Sequence, residues 1–92
     1  MSIRDALALT EKTVEIRGHV VTLRRPSALD LMEALEVSRT QPDRLYLWLV
    51  FRHLVENGRP VFASADEVAG ADAVMVQLIG RACEVLYEEG RD

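Results

Sequence analysis

From Thr13 to Arg24 apolar and polar positions alternate: Val14 and Ile16 with Glu15 and Arg17, then, past Gly18-His19, Val21 and Leu23 with Thr22 and Arg24. A period of two predicts two strands. With Gly18-His19 as a two-residue loop, Ile16 faces Val21 and Val14 faces Leu23 on one side, while Glu15 faces Thr22 on the other. A lone hairpin is marginal in water, so its apolar face is expected to lie on helices. After Pro26 the period changes. Ser27 and Asp30 have capping-box spacing, and Ala28, Leu31, Met32 and Leu35 follow at i, i+3, i+4 and i+7, which predicts a helix with Asp30, Glu33 and Glu36 outward. Thr40-Gln41-Pro42 breaks into the next one.

That next helix, built on Leu45 to Val55, LYLWLVFRHLV, is predicted to be the most buried element. Pro42 suits a first helical turn and Asn57-Gly58 a left-handed stop. At about 100° per residue, Leu47, Trp48, Val50, Phe51, Leu54 and Val55 share a broad face opposite Arg52, His53 and Glu56. Leu45, Tyr46 and Leu49 fall on the polar side. Arg59-Pro60-Val61-Phe62 reads as a turn with two apolar anchors, and Ser64 with Glu67 repeats the capping-box spacing before one helical turn ending at Ala69. The last helix is predicted from Ala71 to Glu89. Its polar stripe is Gln77, Arg81, Glu84 and Glu88, and its core face Val74, Met75, Leu78, Ala82, Val85 and Leu86. Val76, Ile79, Cys83 and Tyr87 carry the apolar arc past half the circumference. Gly80 costs this helix about 1 kcal/mol against Ala, and would permit another helix to approach closely. The excess arcs on both helices are covered either by neighbours in this chain or by a partner, self-association included.

These elements give an α+β fold, mostly α-helical: an N-terminal β-hairpin packed on three main helices, with a short extra helical turn before the last. The expected core contains Val14, Ile16, Val21, Leu23, Leu31, Leu35, Trp48, Phe51, Leu54, Phe62, Leu78, Val85 and Leu86. Residues 1–12 carry no decisive pattern and are expected to form a weakly ordered arm, leaving 13–92 as a single domain. Ninety-two residues suffice for one core, small enough that a partner could add noticeably to stability. With 15 acidic against 11 basic residues the formal charge is -4, a poor match for nucleic acid or an anionic membrane. No apolar run reaches the roughly 20 residues of a membrane span. One cysteine, Cys83, forms no internal disulfide, and MSIRDALALTEK lacks the pattern of a signal peptide, so a cytoplasmic setting is expected.

Candidate chemistry is sparse. His19, His53 and Cys83 do not have metal-ligand spacing. Ser27 and Ser64 are accounted for as caps, and neither GxGxxG nor a Walker pattern is present. No enzyme activity, cofactor or metal is therefore expected. Arg24-Arg25, the one basic doublet, is either a solvated strand end or a contact for an acidic partner.

Residues 14–34, VEIRGHVVTLRRPSALDLMEA, resemble the opening of tail assembly chaperones of long-tailed bacteriophages and related prophage elements. There a strand, a Gly turn and a second strand ending in a basic residue lead into a Pro/Ser-capped helix with an acidic-Leu start. Residues 55–68, VENGRPVFASADEV, are similar to that family's helix end, Gly-basic-Pro turn, aromatic residue and capped acidic turn. The resemblance implies a non-enzymatic protein that binds the long helical tape-measure protein, keeps it soluble and helps tail-tube protein subunits assemble around it, leaving before the tail is complete. It says nothing about which surface is used. The apolar arcs around Leu45, Tyr46 and Leu49 and around Val76, Ile79, Cys83 and Tyr87 are the candidate contact sites, with Arg24 and Arg25 beside them. Two other classes stay open: a protein-interaction module, such as an acidic antitoxin or regulatory adaptor, and a helix-turn-helix regulator. The last would have to read bases with the most apolar helix of the chain.

Overall fold

Two dipeptides ending in glycine shape the β-sheet. In the computed structural model, which describes residues 2–89, strands β1 (Glu11–Ile16) and β2 (His19–Arg24) join through Arg17-Gly18, with φ of 52° and 82°. Strands β3 (Leu54–Glu56) and β4 (Arg59–Pro60) join through Asn57-Gly58, with φ of 54° and 77°. Positive φ at both central residues marks a type I′ turn, whose twist matches that of the strands it connects. The result is one antiparallel sheet in the order β1-β2-β3-β4. Helices α1 (Ile3–Leu7), α2 (Ala28–Thr40), α3 (Leu45–His53), α4 (Ala65–Val68) and α5 (Ala73–Glu88) complete an α+β fold that is mostly helical, as the sequence predicts.

The hairpin keeps its predicted faces in a different register. Its loop is Arg17-Gly18, so Val14 pairs with Val21 and Ile16 with His19. Each partner moves by two places, and a shift of two leaves every side chain on its own face. The change also extends the ladder: Glu11 pairs with Arg24 and Lys12 with Leu23, inside the stretch expected to be a weakly ordered arm. Ahead of it, Ser2 caps α1, its Oγ accepting the Asp5 N–H at 3.3 Å, and no α1 residue is buried. Met1 and, of the predicted 13–92 domain, residues 90–92 lie outside the described residues.

The apolar run expected as one helix divides at His53. Leu54 and Val55 turn into the sheet and pair with Leu23 and Thr22, so the predicted helix stop at Asn57-Gly58 is a hairpin turn. Pro42 opens a 3-10 turn over Pro42–Arg44 that leads into α3. The caps behave as read. Ser27 and Asp30 form a complete capping box, with Ser64 capping α4 and Asp72 capping α5. A cap at Asp72 starts the last helix two residues later than predicted.

The core gathers Val21 and Leu23 of β2, Leu49 and Val50 of α3, Val55, Val68, and Ile79, Cys83 and Leu86 of α5. Val14, Ile16, Trp48, Phe51, Leu54 and Phe62 pack against it half-buried. Three residues assigned to the core are exposed: Leu31, Leu35 and Val85. For Val85 the reason lies in the rotation of α5. Its buried stripe runs through Ile79, Gly80, Cys83 and Leu86, so that Ile79 and Cys83 of the supposed excess arc join Leu86 of the predicted core face, while Val74 and Val85 face outward. Gly80 directs that rotation, because a Cβ there would lie 2.8 Å from Tyr46 Cγ. The close approach its absent side chain permits is the ring of α3.

Gly80→Ala should therefore lower stability. The propensity gain of about 1 kcal/mol is outweighed by overpacking, which costs about 1–3 kcal/mol, and the urea midpoint should fall. In a Tyr46→Ala background the same substitution should be neutral or stabilising. An equal loss in both backgrounds would mean that the ring is not the obstacle.

Candidate interaction surface

Helix α2 is held to the body by charge. Its one buried residue is Asp30, 2% exposed. The carboxylate lies 3.0 Å from Arg24 Nη1 of β2 and 3.1 Å from Arg52 Nε of α3, and accepts the Ser27 N–H at 2.9 Å. Arg52 also pairs with Glu33, and its guanidinium sits 5.5 Å from the Trp48 ring centre. Burial pushes the Asp30 carboxyl up, but the Ser27 hydrogen bond and the Arg24 cation together outweigh it and hold it below the usual carboxylate range. Asp30, Glu33 and Val37, at i, i+3 and i+7, are thus the side of α2 turned inward.

The opposite side is apolar and faces out. Leu31 is 47%, Met32 67% and Leu35 64% exposed, with Leu29 on the flank at 59%. The polarity predicted for this helix is reversed: the acidic side chain expected in water is buried, and the leucines expected in the core are not. Between α2 and α5 runs an open groove of about 170 Å3. Leu31, Ala34 and Leu35 form one wall, Leu49 and Tyr87 the floor, and Glu84 and Glu88 the other wall. Beyond Leu31, a second hollow is lined by Pro26, Ser27 and Ala28 together with Leu86 and Tyr87.

The sequence-derived contact residues sit elsewhere. Leu49, Ile79 and Cys83 are buried where α3 meets α5, so each supposed excess arc covers the other. Leu45, Tyr46, Val76 and Tyr87 are half-buried against the same core. The Tyr46 hydroxyl donates to Glu84. Arg24 is engaged by Asp30 and by the Arg52 carbonyl, and Arg25 joins Lys12 on Glu89. Only Leu45, Leu49 and Tyr87 of the named residues border the groove.

His53, expected on the wet side of α3, is fully buried. Its Nδ1 lies 2.8 Å from the Arg24 carbonyl and its Nε2 2.5 Å from the Tyr87 hydroxyl, so the neutral ring donates through Nδ1–H and accepts from the phenol. Burial, the largest influence, holds its pKa below the ordinary value, against the pull of the Arg24 carbonyl. Burial likewise pushes the Cys83 thiol up to about 12, which leaves it a packed apolar group at neutral pH. Among the described residues, no group of three or more His, Cys, Asp and Glu side chains could hold a metal ion, and no helix is long and apolar enough to cross a membrane. Comparison with protein-family models, curated proteins and solved structures finds no match for this chain.

The reversed α2 carried one sequence signal. Arg24, at the end of a strand, precedes a capping box whose acidic member is Asp30, which brings the cation and the carboxylate together at the helix start.

Asp30 and His53 make the fold acid-sensitive in the same direction. A folded pKa below the unfolded one contributes stability above the unfolded value, and that contribution is lost as pH falls. For His53 the loss begins below about pH 6.5, and for Asp30 below about pH 4. Urea unfolding between pH 8 and 3 should show stability declining across both windows. His53→Leu should flatten the upper one, and Asp30→Ala should flatten the lower one while costing about 3 kcal/mol at neutral pH. A wild-type profile that is flat from pH 7 to 5 would contradict the role given to His53.

Proposed function

We propose that this chain is a non-enzymatic tail assembly chaperone of a long-tailed phage or prophage, acting in the bacterial cytoplasm. Its clients would be the tape-measure protein and, at the tube's growing end, the tail-tube protein. The observation that carries the reading is the outward apolar face of α2. A helix pinned by a buried carboxylate presents Leu31, Met32 and Leu35 to water instead of to its own core. Such a face is costly unless something covers it, and a contiguous exposed apolar patch marks an interaction surface. Its composition suits a long helical client, since two leucines at i and i+4 offer a stripe and a methionine between them adapts to irregular neighbours. The resemblance adds support through its two stretches, which here form the hairpin with the start of α2 and the second hairpin with α4.

The test is co-expression with the tape-measure protein encoded beside this chain, followed by light scattering on the soluble fraction. Several copies should be found on a client that is insoluble alone. Met32→Glu with Leu35→Glu, both at exposed positions, should keep the fold by circular dichroism and return most of the client to the pellet. A wild-type chain that leaves the client insoluble would overturn the reading in favour of an adaptor with a single partner.

A further inference from the structure

The segment before β1 exposes apolar side chains that the described residues of its own molecule do not bury. Ile3 and Leu7 stand at i and i+4 on α1, each 76% exposed, with Arg4 beside them and Leu9 following. The groove between α2 and α5 has the complementary character. Its lining is mostly leucine with Ala34, Ser38 and Tyr87, and the charged residues lining it are Glu84 and Glu88, both acidic. The two features meet at one place on the surface. The Arg25 N–H donates to the Thr10 carbonyl at 2.9 Å, so the arm leaves the body at the start of α2, beside the hollow of Pro26, Ser27 and Ala28 that shares Leu31 and Tyr87 with the groove.

We propose that two copies of this chain exchange N-terminal arms, the α1 of each seating Ile3 and Leu7 in the α2–α5 groove of the other, with Arg4 facing Glu84 and Glu88. Both unpartnered surfaces are satisfied by one contact, and the facing charges are opposite in sign. In its own molecule no residue of α1 is buried. A second copy can bring its arm in from outside, and because each arm starts beside a groove, one two-fold axis makes the exchange reciprocal. That is the isologous geometry of most homodimers, and exchange of an identical element is a low-cost route to it. The groove contact uses the wall of Leu31, Ala34 and Leu35 together with the α5 wall, leaving Met32 outward. The proposal does not depend on the identity of any client.

Light scattering of the full chain across a concentration series tests it. The mass should rise from that of one chain to twice that value. Ile3→Asp with Leu7→Asp should abolish the rise, and so should Leu31→Asp. Should Leu31→Asp fail to fold, the exposed charge pair decides instead. Arg4→Glu and Glu88→Arg should each weaken dimerisation severalfold, and the two together should restore it. A chain that stays monomeric at every concentration, including one whose arm closes over its own groove, overturns the proposal. A dimer that survives both the arm and the charge substitutions does so equally.

Discussion

A carboxylate shut away from water beside two guanidinium groups determines which face of α2 the body receives. Isolated, the buried Asp30 charge would be intolerable. Flanked by Arg24 and Arg52 and bonded to the Ser27 amide, it is held, and removing either partner would leave an uncompensated charge. A cluster of this kind is weak evidence for stability, because well-packed apolar residues could do as well. What it supplies is orientation. A helix with leucines on one side and acids on the other has a default docking mode with leucines inward, and Arg24 and Arg52 offer the acids a better place. The ends of β2 and α3 thereby fix the direction of a helix between them in sequence.

The same residues connect the remaining elements. Arg24 gives its guanidinium to Asp30 and its carbonyl to His53; the His53 ring lies edge-on to Tyr87 of α5 and to Trp48 of its own helix. Sheet, α2, α3 and α5 are joined through one partly buried polar cluster placed next to the apolar core. His53 is tolerable there because both of its nitrogens have partners. Tyr87 spans the two worlds. Its hydroxyl belongs to the cluster, and its ring forms the floor of the groove. Loss of a proton-dependent bond inside the cluster would therefore be felt first at the α2–α5 surface.

Legibility in the sequence follows the range of the interaction. Caps are local, and Ser27 with Asp30 could be read from their spacing alone. The alternating strands were legible as faces, since a period of two survives the register shift that moved the loop to Arg17-Gly18. The second hairpin was hidden because Asn57-Gly58 serves equally as a helix stop and as a type I′ turn, and Leu54-Val55 fits either element. Periodicity located the amphipathic axis of α2 but not its direction, which depends on Arg52, a residue of another helix. On α5 apolar positions cover so much of the circumference that no face was singled out. Only the contact of Tyr46 with Gly80 chose one, and Leu49, Ile79 and Cys83 of the arcs named as candidate contact sites became core.

An inward Asp30 also explains why the candidate site is found on α2 and not on the more apolar helices. Apolar content alone marks α3 and α5, yet each satisfies the other: Leu49 and Cys83 are sealed at their junction. The least apolar of the three long helices is left with the most exposed leucine. An interaction surface arises where burial is prevented, and what prevents it here is a better competing contact on the other side of the same helix. A substitution that made Asp30 apolar would remove that competition. Helix α2 could then roll its leucines onto the body, closing the groove beside α5 and erasing the surface without unfolding the chain.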